Sequence, residues 1–261
     1  MPEQATAVMA PVVTARPRRI DRRFYIILGL LTILFNVVAF GPSLIDQSGR
    51  NVPLPLTPLV MAHAIVAATW LLLFLTQATL VATRRIGLHR RLGIVGAVLT
   101  VAFVVIGYFT VIEEARRGFN LSGDGGPRAQ PGAPPDLAAM GPVLLGLVTF
   151  AILAGAGFHY RHRPSVHKRL MALALLGGLG GTPLAHLVTH WPALQPWVGV
   201  IFPIGFLIIV SGSAISDRVS EGRIHPLSLW GAILIFASNT LFVGVIQPTE
   251  AWRQFATCLI Q

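Results

Sequence analysis

Four histidines in this chain stand where imidazole chemistry would need them. His63 and His186 lie inside long apolar runs. His89 and His167 lie at the feet of two others, followed by Arg90-Arg91-Leu92 and Lys168-Arg169-Leu170. A neutral imidazole ligates haem iron or another metal, carries a proton, or hydrogen-bonds a polar ligand. Two further residues belong with His63: Trp70 and Gln77 follow it at seven-residue steps. Seven residues of α-helix turn through about 700°, so the three side chains form nearly one stripe. In an apolar helix such a stripe must face protein, water or a cofactor. Trp70 offers a stacking face and Gln77 both donors and an acceptor.

The elements that must position these residues are membrane spans. Of the 261 residues, 54% are hydrophobic and 11% charged, and the mean hydropathy is +0.69. A soluble domain carries about 25% charged residues. Seven uncharged runs of roughly membrane-spanning length follow one another: 24–45, 58–82, 92–112, 138–158, 170–189, 195–216 and 226–247. The predicted fold is all-α, an integral membrane bundle of seven transmembrane helices over 24–247. Spans 2–5 form its core, with span 2 central. Residues 1–23 are read as a disordered, basic, cytoplasmic leader, and 248–261 as an outer tail. Ala39-Phe40-Gly41 loosely fits a signal-cleavage site. The run is longer than a signal core, however, so it is read as a retained span. In span 5, Gly177 and Gly181 at four-residue spacing suit close helix contact, and Pro183 is expected to kink it.

Charge sets the expected orientation. With the N-terminus inside, 15 of the 20 Lys and Arg residues fall in the inner segments 1–23, 83–91, 160–169 and 217–225. That bias predicts a bacterial inner-membrane protein, multi-pass, with a cytoplasmic N-terminus and a periplasmic or extracellular C-terminus. The net charge of +10 is accounted for by these span-end clusters and by anionic lipid headgroups, not by nucleic acid. The Gly- and Pro-rich segment 113–137 reads as an outer loop. The single cysteine, Cys258, excludes an intrachain disulfide or a thiolate cluster. No Asp, Glu, Lys or Arg falls within the seven cores. This disfavours a carboxylate-driven transporter and a retinal protein. Phosphate-loop, nucleophile-elbow and HExxH motifs are absent from the sequence.

Two pairings of the histidines follow. His63 and His186 lie roughly 6–8 Å below the same outer face at a 1.5 Å rise per residue. They are candidate ligands of haem b or a metal, with Trp70 and Gln77 as cofactor contacts. His89, Arg90, Arg91, His167, Lys168 and Arg169 gather at inner helix ends, as a lipid or quinone headgroup site or a second cofactor pair. The competing reading makes all of them packing and interfacial anchors. Two functional classes therefore stay open. One is a redox protein holding haem b or exchanging electrons with quinone. The other is a non-enzymatic transport, lipid-interacting or accessory protein with structural histidines.

RRIGLHRRLG leads into span 3, RHRPSVHKRLM into span 5 and DRVSEGRIHPL into span 7. Each is a basic turn ending in a histidine at the foot of the next helix (His89, His167, His225), which reads as a repeated helical hairpin. The combination of His63, Trp70 and Gln77 with H-R-R-L-G at His89–Gly93 and H-K-R-L-M at His167–Met171 resembles a group of uncharacterised bacterial inner-membrane proteins. The resemblance covers spans 2–5 and implies a multi-span fold but no activity. Members of that group tend to carry an Arg late in the span after H-K-R-L-M, where this chain has His186. At the level of fold the chain is also similar to cytochrome b561-type proteins, which implies haem-bearing histidines.

Overall fold

The computed structural model describes residues 17–45, 57–116, 137–191 and 193–261. Residues 1–16 of the expected leader and 117–136 of the expected outer loop lie outside the described residues. The described chain is helical: α1 Pro17–Ile45, α2 Pro58–Ala82, α3 Ile86–Arg116, α4 Leu137–His159, α5 Pro164–Leu173, α6 Gly181–His190, α7 Val198–Glu221, α8 Pro226–Leu241 and α9 Glu250–Ile260. One-turn π segments, Ala174–Gly178 and Phe242–Ile246, follow α5 and α8. Seven stretches are long and apolar enough to cross a membrane, and the fifth runs Pro164–Val188. The chain is an all-α, multi-pass membrane bundle.

Local chemistry sets the helix starts. α1, α2, α5 and α8 each open on proline, whose missing N–H costs nothing in a first turn. Thr57 and Thr249 cap α2 and α9 by accepting from the N–H groups of Val60 and Trp252 at 3.2 and 3.1 Å. Hydroxyls inside the spans bond back one turn, as Thr32 does to the Leu28 carbonyl and Thr100 to that of Gly96, each at 2.8 Å. Lipid cannot solvate a hydroxyl, so this internal bond is what lets these residues sit in a span.

Several boundaries depart from the sequence reading. The basic motifs are helical: His89 is the fourth residue of α3 and His167 the fourth of α5. Residues 17–23 of the expected disordered leader form the start of α1. Within the expected tail, 250–260 form the amphipathic helix α9. Trp252 and Ala256, one turn apart, are buried against α3 and α4, and the Trp252 indole donates to the Leu137 carbonyl at 3.2 Å. An apolar stripe on a short helix needs a partner surface, and the ends of α3 and α4 provide it.

The largest correction concerns the centre of the bundle. Span 5 occupies it, not span 2: more than half of Pro164–Val188 is buried, against a third or less of every other span. α2 packs on α1 and α3. α1 also reaches α6 and α7, which closes the bundle around the fifth span. The break in that span lies at the π segment and Gly180, upstream of Pro183. Pro183 is the third residue of α6, where no backbone donor is required.

Glycine at this break is a consequence of contact. A Cβ on Gly177 would lie 2.8 Å from Ile235 of α8. On Gly180 it would lie 2.7 Å from Ile209 of α7. On Gly178 it would lie 2.5 Å from the Phe150 Cβ and 3.0 Å from its Cα, on α4. A backbone atom cannot swing aside, and overpacking of this kind costs about 1–3 kcal/mol. Gly178→Ala should therefore lower the thermal unfolding midpoint in detergent. Gly155→Ala, with no heavy atom within 4 Å of the new methyl, should leave it unchanged.

Candidate functional site

The stripe on α2 faces α3 along its whole length. The His63 ring lies 5.1 Å from that of Phe103 and against Gly107, where a Cβ would be 3.4 Å from the imidazole. Trp70, 3% exposed, donates its indole N–H to the Thr100 hydroxyl at 3.0 Å and packs edge-on against Phe150. The Gln77 backbone carbonyl lies near the imidazole of His89. The pairs descend one helix and climb the other, as antiparallel packing requires. The stripe is thus an interhelical seam. His63 Nδ1 and Gln77 Oε1 are shielded within it without a protein partner.

His63 and His186 do not come together. His186 is buried on α6 with its ring centre 4.7 Å from that of Phe40 on α1, while His63 packs on α3. α2 and α6 each pack on α1. Gly177 is pressed against Ile235, and a Cβ on Gly181 would stand 3.4 Å from Phe206, the close helix contact that their spacing suited. As placed, the two rings pack against different helices, His63 on α3 and His186 on α1.

The imidazoles that do converge are His89 and His167. Their ring centres are 6.3 Å apart with planes at 76°. The equivalence of the two hairpins brings this about: each histidine is the fourth residue of its helix at the same, basic end of the bundle. The third copy differs. His225 precedes Pro226, and its Nδ1 caps α8 by accepting from the Leu227 N–H at 3.1 Å.

One ring of the pair has a committed nitrogen. His167 Nδ1 lies 2.7 Å from the Gly157 carbonyl oxygen of α4. A carbonyl only accepts, so this nitrogen carries the proton and Nε2 of the neutral ring keeps its lone pair. On His89, Nδ1 is shielded from solvent and has no protein partner. A buried polar atom left without a partner is uncommon enough to mark a site.

The neighbours expected to bind headgroups divide. Arg90 and Arg91 are exposed, as are Arg84, Arg85, Arg161 and Arg163, and together they form a basic rim. Lys168 bonds Glu221 at 3.4 Å and lies over the Tyr25 ring. Arg169 is 1% exposed and turned inward. It donates to Asp217 Oδ1 from Nε at 2.9 Å and from a terminal nitrogen at 2.7 Å, to Glu221 at 2.6 Å, and to the Ser165 carbonyl at 2.7 Å. Asp217 also accepts from the His225 backbone N–H at 3.2 Å. This network joins α5 to α7 and α8 and leaves Arg169 little capacity for a headgroup. The sequence carried one sign of it: Asp217 and Glu221 stand four residues apart at the end of a span otherwise free of acids.

Removing one partner of a buried pair strands the other charge, at a cost of about 3–5 kcal/mol. Asp217→Asn should therefore sharply lower the unfolding midpoint. Arg169→Met/Asp217→Leu, which removes both charges, should recover most of the loss. Equal melting of wild type and Asp217→Asn would show that the pair contributes little.

No family model, curated protein or solved structure matches the chain.

Proposed function

We propose that this multi-pass membrane protein is redox-linked, and that its ligand sits at the inner end of the bundle on His89 and His167. The observation that carries the reading is the convergence of two repeat-related imidazoles, one with its Nδ1 bonded to a backbone carbonyl and the other with a buried Nδ1 that has no partner. A ring held in this way has its tautomer set, which is how proteins prepare histidine for a metal centre or a hydrogen-bonded ligand. The donor chemistry suits haem iron, and His89 and His167 would be the residues to hold it. When bound, haem supplies one-electron transfer. The same nitrogens suit the head of a quinone arriving from the bilayer. On this reading the basic end faces the cytoplasm, and the rim of Arg84, Arg85, Arg90, Arg91, Arg161 and Arg163 meets anionic lipid headgroups.

The second reading, a non-enzymatic transport, lipid-interacting or accessory protein, draws on the closed packing around His63 and His186 and on the satisfied Arg169.

Visible absorption and quinone-titration difference spectra of the purified protein separate the two. A ligand signal lost in His89→Ala and His167→Ala but kept in His63→Ala is the expected result. A colourless protein whose spectra do not respond to quinone, or a signal indifferent to both substitutions, would hand the lead to the second reading.

A further inference from the structure

We propose that His89 and His167 hold one copper(I) ion between them, His89 through Nδ1 and His167 through Nε2. The proposal rests on the inner pair being the working site and names the class of ligand it takes.

Distance is the first argument. A direct N–H···N hydrogen bond between two imidazoles, about 2.9 Å long, would bring the ring centres to roughly 5 Å. An ion about 2.0 Å from each of two collinear nitrogens, with about 1 Å more to each ring centre, sets the centres roughly 6 Å apart. The observed separation is 6.3 Å. That is too wide for the rings to bond each other and matches an ion between them. Planes at 76° let both rings present an edge without clashing.

The state of the nitrogens is the second. His167 Nε2 carries a lone pair when its ring is neutral, because Nδ1 faces the Gly157 carbonyl. His89 Nδ1 is buried without a partner. Both nitrogens can serve an electron-pair acceptor. The backbone carbonyl of Gly157 then plays the supporting part that the partners of ligating histidines regularly have.

Donor number and softness narrow the ion. Among the described residues no group of three His, Cys, Asp or Glu side chains could hold a metal. Zinc prefers four ligands, and magnesium and calcium prefer six or more with oxygen donors. An ion content with two neutral nitrogens is a soft monovalent one, and imidazole and thioether ligands both suit copper(I). The thioether is present. Met171 stands one helical turn beyond His167, and its Sδ lies 2.6 Å from where a Gly157 Cβ would be, beside the residue that anchors His167. The H-K-R-L-M run thus encodes a histidine and a soft sulfur donor on one helix face.

The test is a titration of the reduced, detergent-purified full chain with copper(I) against the chromophoric chelator bicinchoninate. One equivalent should be drawn from the chelator. His89→Gln and His167→Gln, which keep size and polarity, should each weaken binding at least tenfold. Met171→Leu should weaken it severalfold, and His63→Ala should leave it unchanged. Unfolding midpoints of the four variants, measured without metal, should show that all are folded. X-ray absorption at the copper edge should show two nitrogen scatterers and one sulfur, with one nitrogen lost in either histidine variant and the sulfur lost in Met171→Leu. Failure to compete with the chelator, or equal affinity in His89→Gln and wild type, would overturn the copper assignment. If a haem or quinone signal still depends on both histidines, the working site stands and copper alone falls. If no ligand depends on them, both readings fall together.

Discussion

Lipid offers no hydrogen bonds, and every polar group in this bundle is arranged around that constraint. A polar side chain in a span must find its partner inside the protein. Thr32, Thr100 and Thr110 solve this within their own helices by bonding a carbonyl four residues back. Trp70 solves it across a seam through Thr100, which spends its own proton on Gly96 and accepts the indole N–H. Arg169 solves it with two carboxylates and a carbonyl. Against this background His63 Nδ1, Gln77 Oε1, His89 Nδ1 and Gln247 Oε1 stand out among the described residues as buried polar atoms without a partner.

The number and approximate limits of the spans were legible in the sequence because the constraint acts on composition: twenty or so uncharged residues is a local property. Helix ends were less legible. Arginine-rich segments read as loops, yet α1, α3 and α5 run on through them. A basic residue at a helix end can keep its stem along the protein and its charge in water, so charge marks the membrane boundary and not the end of the helix. The centre of the bundle was misplaced for a related reason. The glycines of span 5 lower its helix propensity and hydropathy, which made it look weakest. Those glycines are what let α4, α7 and α8 approach it, so the poorest helix by propensity is the most buried.

The site divided along the same line. The repeat predicted that His89 and His167 are equivalent, and equivalent residues of adjacent hairpins meet where those hairpins touch. Pairing His63 with His186 relied on depth alone. Depth fixes one coordinate of three, and the two rings pack against different helices, His63 on α3 and His186 on α1. The inward turn of Arg169 was hidden because its partner Asp217 is 48 residues away, with nothing in the linear pattern to connect them beyond opposite charge.

Both halves of the histidine pair are held by backbone devices close to them. On one side, the turn between α2 and α3 is three residues long. Arg84 adopts a left-handed conformation with φ of 62°, while the N–H of Arg85 bonds the Leu80 carbonyl and that of Arg84 bonds Val81. These are the two bonds of a helix-ending Schellman turn, a position glycine usually fills. A non-glycine residue there costs on the order of 1 kcal/mol. The tight turn sets how α3 leaves α2, and therefore where His89 stands over Gln77. On the other side, Arg169 lies two residues beyond His167 and ties the first turns of α5 to Asp217 of α7, which in turn accepts from the backbone at the start of α8. A site on two helices is only as well defined as the relation between them. Here that relation is fixed at one helix by a strained turn and at the other by a buried ion pair. Neither device touches the imidazoles. They place two rings at a set separation before any ligand arrives, which lowers the ordering cost of binding.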